Sequence, residues 1–258
     1  MSAQPSSSAR PFRWQQPIGS WRARGAQSAA LRAGLGLPCP PVNKAAPKDD
    51  HGFTLWHYWA NSPRPHESFA QLHRRLGDTH AHEVSQDGTH PWHYLLHHGH
   101  VKALDAWAKA FGAIQEIAPN QAGDTLAHAA AWSGEVACLA KLSHLDMAHI
   151  NHTDDKGFTP LIIAIHRGGL EAARALLMAG ADPDVVDQQG RSAMHHAALY
   201  GDIGLLGFFE DAGGDAQAPD FTGLSASSIV RTRRNSTVQD LEGIRIYWAR
   251  QKTERLNF

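Results

Sequence analysis

A regular spacing of glycines constrains this chain more than any other feature. Gly88, Gly123, Gly157, Gly190 and Gly223 lie 35, 34, 33 and 33 residues apart, and each begins a similar short phrase. A fixed period of this size is typical of stacked repeats, because a unit of that length cannot bury its apolar face without neighbours. The spacing therefore predicts an elongated body of stacked repeats with a long exposed concave side, a shape suited to binding.

The phrase around Gly157 predicts a turn followed by two helices. Gly157 permits the positive φ of a tight turn, Thr159 is suited to cap the first helix, and Pro160 fits its first turn. Gly168 favours a left-handed stop between the two helices. The second helix is indicated by apolar residues at helical spacing: Leu170, Ala173, Leu176 and Leu177.

The repeated phrase resembles the ankyrin repeat, whose pattern is Gly-x-Thr-Pro-Leu-His-x-Ala-Ala-x-x-Gly followed by Leu-Leu-x-x-Gly-Ala-Asp. Residues 123–134 read Gly-Asp-Thr-Leu-Ala-His-Ala-Ala-Ala-Trp-Ser-Gly, and residues 190–201 read Gly-Arg-Ser-Ala-Met-His-His-Ala-Ala-Leu-Tyr-Gly. A looser version begins at Gly52, and departures grow toward both ends, as in capping repeats. The resemblance implies an all-α ankyrin-repeat solenoid of stacked helix-turn-helix units with hairpin-like loops, about five to six repeats including caps.

The expected organisation is a leader followed by one repeat domain. The leader is residues 1–48, and the domain is divided at the repeat phrases: an N-terminal capping repeat 49–84, repeats 85–119, 120–153, 154–186 and 187–219, and a C-terminal capping repeat with a final helix at 220–258. Within the last unit, Val238 to Leu256 has the pattern of that helix. No stretch approaches the ~18 uninterrupted apolar residues of a membrane span, so we expect a soluble chain.

The leader differs sharply from the domain in charge. Residues 1–48 hold seven basic side chains and no acidic one, whereas the rest of the chain has 17 basic and 25 acidic groups. Its serines, prolines and lack of periodicity predict disorder. Three interpretations stay open: a solvated tail, an organelle transit peptide, or a secretion leader like those of bacterial effectors. We therefore expect a cytoplasmic protein, or one delivered to a host cell or organelle if the leader is a targeting signal.

Histidine is unusually frequent in this chain. There are 18 histidines, and eleven of them lie between His51 and His100. The ankyrin resemblance gives four a structural role, in which the imidazole bonds the turn backbone and links adjacent repeats: His57, His93, His128 and His195. The cluster His97, His98 and His100 leaves open a metal site or pH-responsive binding, although no cysteine or suitably spaced carboxylate accompanies it. We predict no metal site.

Catalytic signatures are absent from the sequence. It contains no Gly-x-Ser-x-Gly, no phosphate-binding Gly-x-x-x-x-Gly-Lys-Ser/Thr and no His-Glu-x-x-His. The two cysteines form no disulfide framework, and Cys138 is expected to be a small buried hydrophobe while Cys39 lies in the leader. We therefore predict a non-enzymatic protein with no cofactor and no small-molecule substrate.

The resemblance also indicates where a partner would bind. In ankyrin proteins the variable contact positions are the hairpin tips and the two residues before the glycine between the helices. Carried over, the helix positions are His97, His98, Trp132, Ser133, His166, Arg167, Leu199 and Tyr200, and the tip positions include Asp124, Phe158 and Arg191. Trp132 has a second interpretation, as packing beneath the next hairpin.

The function expected from these positions is that of a scaffold, adaptor or effector that binds a partner protein through its concave groove. Two alternatives stay open: a histidine-rich metal-binding or pH-responsive protein, and a nucleic-acid-associated protein that uses its basic ends. The acidic central body and the lack of a nucleic-acid-binding module weigh against the second.

Overall fold

The structure, a computed structural model, describes residues 48–112, 117–142, 149–200 and 203–235. The expectations for the leader, apart from Lys48, and for a final helix at Val238 to Leu256 lie outside these residues. The described part contains helices and no β-strand, which confirms the all-α prediction. The helices in chain order are α1 Leu55–Ala60, α2 Pro65–Leu76, α3 Pro91–His97, α4 Val101–Phe111, α5 Leu126–Ser133, α6 Val136–Leu142, α7 Pro160–His166, α8 Leu170–Met178, α9 Ala193–Tyr200, α10 Ile203–Asp211 and α11 Ala226–Asn235.

The helices stack in two rows. Each odd-numbered helix from α1 to α9 contacts both the next odd-numbered helix and the even-numbered helix that follows it in the chain. We call the odd-numbered helices the first helices of their repeats. At the third full repeat, the Thr159 hydroxyl accepts the Ile162 N–H at 3.3 Å and Pro160 begins α7, as the sequence predicts.

A tight hairpin precedes each first helix and explains the glycine spacing. In the hairpin before α7, the Asp154 N–H donates to the Phe158 carbonyl at 2.9 Å, and Gly157 has φ +80°. A Cβ at Gly157 would lie 2.8 Å from the Gln188 backbone nitrogen of the next repeat, so both conformation and space require glycine. Backbone hydrogen bonds also join successive tips, for example Asp155 N–H to the Ala122 carbonyl at 2.9 Å.

The core changes character along the stack. Its N-terminal part is aromatic, and Trp56, Trp59, Trp92 and Trp107 are each at most 2% exposed. Its C-terminal part is mainly aliphatic, with a run of buried residues in α7: Leu161, Ile162, Ile163, Ala164 and Ile165. Cys138 is fully buried, as predicted. Both parts of the core pack successive first helices against one another, so the ends of these helices lie side by side.

Candidate functional site

The predicted helix positions lie together at the C-terminal ends of four first helices. His97 ends α3, Ser133 ends α5, His166 ends α7 and Tyr200 ends α9. Because these helices contact one another in order, their ends form a row across four repeats. We call it the first-helix row, and it comprises His97, His98, Trp132, Ser133, His166, Arg167, Leu199 and Tyr200.

The N-terminal half of the row is a layered stack of three repeats. The His97 ring lies parallel to the Trp132 indole, with 5.2 Å between ring centroids and 17° between planes. The Arg167 guanidinium covers the Trp132 ring at 4.4 Å, and its Nε donates to the Trp132 carbonyl at 3.2 Å. Trp132 is half-buried and packs against the C-terminal core, which agrees with a packing role, while part of its surface stays accessible.

Burial controls the charge of His97. It lowers the pKa of this imidazole to about 2, and the neighbouring His98 and the Arg167 guanidinium act in the same direction. The ring is therefore neutral at physiological pH. The cation of this stack is Arg167, which lies over the electron-rich indole face.

The C-terminal half of the row contains a second aromatic group. The His166 ring lies 4.3 Å from the Tyr200 ring and 5.1 Å from the Phe158 ring. Its Nε2 is 2.9 Å from Nδ1 of His196, and Nε2 of His196 is 3.0 Å from Oδ2 of Asp187. Burial, followed by the neighbouring His196, lowers the pKa of His166 to about 3. This polar chain runs from a hairpin tip to the row.

The remaining row positions differ in exposure. His98 and Leu199 are exposed, and the His98 Nε2 is 2.9 Å from Oδ1 of Asn61 in the preceding repeat. The Ser133 hydroxyl points back to its own helix, where it donates to the Ala130 carbonyl at 2.8 Å. The Ser133 hydroxyl is therefore used in a hydrogen bond within α5, whereas the Leu199 side chain is exposed to solvent.

The three tip positions have three different environments. Phe158 is half-buried between the rings of His166 and His196. Arg191 forms an ion pair with Asp187, at 3.5 Å from Nε to Oδ2. Asp124 departs from the expectation of a presented tip residue, because it is only 2% exposed. Burial raises the pKa of Asp124 to about 7, and the Asp154 carboxylate adds to this effect.

The four structural histidines behave largely as the resemblance implies. In α5, the Thr125 N–H donates to Nδ1 of His128 at 3.1 Å, and Nε2 of His128 lies 3.0 Å from the Phe158 carbonyl of the next repeat. His57 and His195 make the same pair of contacts, and His93 retains the first of them. Burial lowers the pKa of His128 to about 4, so it stays neutral and links two repeats.

The sequence did not reveal the importance of His196 and Asp187. His196 directly follows His195, which occupies the family's structural histidine position, and nothing in the one-dimensional pattern marks a second imidazole there. Only the contact with His166, at the variable position of the preceding repeat, shows that His196 belongs to the site. Asp187, three residues before Gly190, looks like any turn-forming aspartate. Their joint role depends on contacts between repeats.

The described residues bear only in part on the alternatives left open by the sequence. In the described residues, no three histidine, cysteine or carboxylate side chains converge in a way that could hold a metal ion. Of the basic residues near the two ends, Lys48 pairs with Glu83 at 2.9 Å and Arg231 is exposed, while the remaining side chains lie outside the described part. Across the described ranges, no helix has the length and apolar character needed to cross a membrane.

Comparison with known proteins identifies the repeats. Residues 128–215 match the family model "Ankyrin repeats (3 copies)". The chain is 38% identical over 120 residues to NF-kappa-B inhibitor delta of Mus musculus, covering 45% of this chain and 37% of that protein. It is 33% identical over 122 residues to the probable E3 ubiquitin-protein ligase XBOS31 of Oryza sativa subsp. japonica, covering 47% and 27%. The matched segments thus span little more than a third of these relatives at most.

A solved structure supports the fold. The ankyrin repeat domain of Bcl-3, described as a member of the IkappaB protein family, superposes with a TM-score of 0.56 at 19% identity. The match covers 72% of this chain and 84% of that domain. Sequence and structure comparisons therefore agree on the repeat type.

Proposed function

The chain carries ankyrin repeats, which generally mediate protein–protein interaction, and we propose that it is a non-enzymatic scaffold, adaptor or effector that binds a partner protein along the first-helix row. The observation that supports this most directly is the continuity of the row. Trp132, Arg167 and Tyr200 lie in successive repeats and remain partly exposed. Tryptophan, tyrosine and arginine are the residue types most enriched at binding hot spots.

The contacts within the row also favour binding energetically. Arg167 is held over Trp132 by the ring contact and by its hydrogen bond to the Trp132 carbonyl. Tyr200 lies against His166, which is itself bonded to His196. Side chains that are already restrained lose less conformational entropy on binding, an effect of about 0.5–1.5 kcal/mol for each flexible side chain. Binding then requires only the contacts to the partner, because the contacts within the row are already made.

The charged and polar residues at the neighbouring hairpin tips suggest a polar rim. Asp155 and Lys156 are exposed at one tip, and Gln188 and Gln189 are exposed at the next. A protein surface with an apolar centre and a polar edge matches this arrangement, since interface centres are depleted in charged residues other than arginine and their rims are polar. The aromatic groups of the row would contact the centre of such a surface.

The test compares two double variants of the full chain as bait in affinity capture. In Trp132→Ala/Tyr200→Ala the row loses two aromatic side chains, and in Met178→Ala/Phe208→Ala two exposed side chains of α8 and α10 are removed. Met178 is 90% exposed and Phe208 is 43% exposed, so this control changes apolar area away from the row. Proteins captured by the wild type are identified by mass spectrometry, purified and titrated.

We expect the first variant to weaken binding at least tenfold and the control to bind like the wild type. Thermal unfolding of each bait establishes that all three are folded at the assay temperature. Equal binding by the Trp132/Tyr200 variant, or loss only in the α8/α10 control, would exclude the first-helix row as the interface.

A further inference from the structure

A buried hydrogen-bonded chain joins a hairpin tip to the first-helix row across two repeats. Oδ2 of Asp187 lies 3.0 Å from Nε2 of His196, and Nδ1 of His196 lies 2.9 Å from Nε2 of His166. The side chains of Asp187 and His196 are 0% and 2% exposed. Their burial means that water does not replace these contacts, so each atom's donor or acceptor role is set by its neighbour.

The direction of the chain follows from counting protons. An ionised carboxylate can only accept, so Nε2 of His196 must carry a hydrogen and donate to Asp187. A neutral imidazole has one such hydrogen, so Nδ1 of His196 accepts, and Nε2 of His166 must donate to it. The hydrogen-bearing nitrogen is therefore Nε2 in both rings, and Nδ1 of His166 is an acceptor nitrogen.

The charged groups around the chain are consistent with this protonation pattern. Burial lowers the pKa of His196 against the opposing effect of Asp187, and Arg191 and His195 lower it further. The contact with His196 and the backbone donors of the turn keep the pKa of Asp187 below its usual value despite burial. Arg191, at 3.5 Å from Oδ2, also favours the ionised carboxylate. The chain is thus one carboxylate and two neutral imidazoles near pH 7.

We propose that Asp187 is a positioning residue that fixes the tautomers of His196 and His166 and thereby sets the hydrogen-bonding polarity of the imidazole in the first-helix row. The tautomers are a property of this protein alone and do not depend on the proposed interface.

Asp187 combines this role with an ordinary turn role through its two oxygens. Oδ1 accepts the Gln189 and Arg191 N–H groups at 2.8 and 2.9 Å, which leaves Oδ2 for His196. Asn120 occupies the same place in an earlier repeat, where its Oδ1 accepts the Ala122 and Asp124 N–H groups, both at 2.9 Å. Asparagine therefore supports this turn.

The substitution Asp187→Asn should consequently keep the turn and reverse the donor and acceptor roles along the hydrogen-bonded chain. Its Oδ1 would retain the two backbone donors, and its Nδ2 would donate to Nε2 of His196. That nitrogen becomes an acceptor, so Nδ1 of His196 donates to Nε2 of His166, and the hydrogen of His166 moves to Nδ1. One nearly isosteric change at the tip would thus switch the tautomer of both imidazole rings.

The experiment is nitrogen NMR of the full chain labelled with ¹⁵N-histidine, with the two rings assigned by single His→Gln variants. Two-bond nitrogen–proton correlations distinguish the Nε2–H from the Nδ1–H tautomer. We expect Nε2–H for both rings in the wild type and Nδ1–H for both in Asp187→Asn. The matched control is Asp220→Asn, because Oδ1 of Asp220 accepts the Thr222 and Leu224 N–H groups in the same turn geometry.

The control should leave the signals of His166 and His196 unchanged. An Nδ1–H or mixed tautomer in the wild type would overturn the proposal, as would a folded Asp187→Asn variant with unaltered tautomers. If Asp187→Asn does not fold, the wild-type spectrum alone still tests the proton order, because an Nδ1–H or mixed form of either ring overturns it. No partner is present in this experiment, so its failure is distinct from failure of the proposed interface.

Discussion

Replacing Asp124 with asparagine should stabilise the protein increasingly as pH rises from 5 to 8. Asp124 is 2% exposed, and among the described residues its Oδ1 has no hydrogen-bond partner. Its Oδ2 faces only the Asn120 amide, at 3.5 Å. Burial raises the pKa of this carboxyl from 3.8 to about 7, with a further contribution from Asp154. A raised pKa means that the folded state holds a proton that the unfolded chain releases near pH 4, so stability falls as pH rises through this window.

The size of the effect follows from that pKa shift. About three pKa units at ~1.4 kcal/mol each give a penalty of about 4 kcal/mol above pH 7. Of this, about 2.5 kcal/mol develops between pH 5 and 8. The asparagine amide is neutral throughout, although leaving it without partners costs about 1–3 kcal/mol at every pH. The difference between variant and wild type should therefore change by about 2.5 kcal/mol across the range, whatever the constant offset.

The measurement is urea unfolding of the wild type, Asp124→Asn and Asp155→Asn at several pH values from 5 to 8. Asp155 is an exposed carboxylate at the neighbouring hairpin tip, where substitutions usually change stability by no more than about 0.5 kcal/mol. A free-energy difference for Asp124→Asn that stays constant within about 0.5 kcal/mol over this range would refute the reasoning, because it would mean that the carboxyl has an ordinary pKa in the folded protein.

Three further outcomes follow from the same structure. Gly157→Ala should lower stability by about 2 kcal/mol or more and clearly more than Gly180→Ala, since both have positive φ but only Gly157 has backbone atoms within 3 Å of an added Cβ; equal melting temperatures would contradict this. The wild type should lose stability as pH falls from 6.5 toward 4, because burial lowers the pKa of His57, His93 and His128 to about 4 and the unfolded chain binds three extra protons, which together outweigh the opposite effect of Asp124; equal urea midpoints at pH 7 and 5 would count against it. In a Cys39→Ser background Cys138 should react with a thiol reagent only on unfolding, as it is fully buried and burial raises its pKa to about 11; rapid labelling of the native protein would show otherwise.

Much of the fold follows from the sequence because each unit uses local chemistry. Gly157 sets a turn, Thr159 caps a helix and Pro160 begins it, and all three act within a few residues. Because four units repeat this pattern of turn, cap and helix start, it can be recognised in the sequence. The same reasoning located the ends of the first helices, since Gly134 and Gly168 mark where α5 and α7 stop.

The sequence predicted that the residues of the first-helix row lie together, but not how they contact one another. The family pattern placed Trp132 and Arg167 in one row, yet their stacking depends on the spacing and rotation of neighbouring repeats. Asp124 shows the opposite case. Its place beside Gly123 is a presented position in the family pattern, but here the side chain lies buried near Asp154. Whether a tip residue is covered depends on the next hairpin, which a local pattern does not describe.

By itself, the sequence determined the repeat period, the helical class and which ends of the helices would lie together. The tertiary structure decided which side chains meet across repeats. Asp187, His196 and His166 are 9 and 30 residues apart in successive contacts, and only stacking brings them into one hydrogen-bonded chain. The physical reason is range: turns and caps are fixed by neighbours in the chain, whereas burial, pKa and proton position are fixed by neighbours in space.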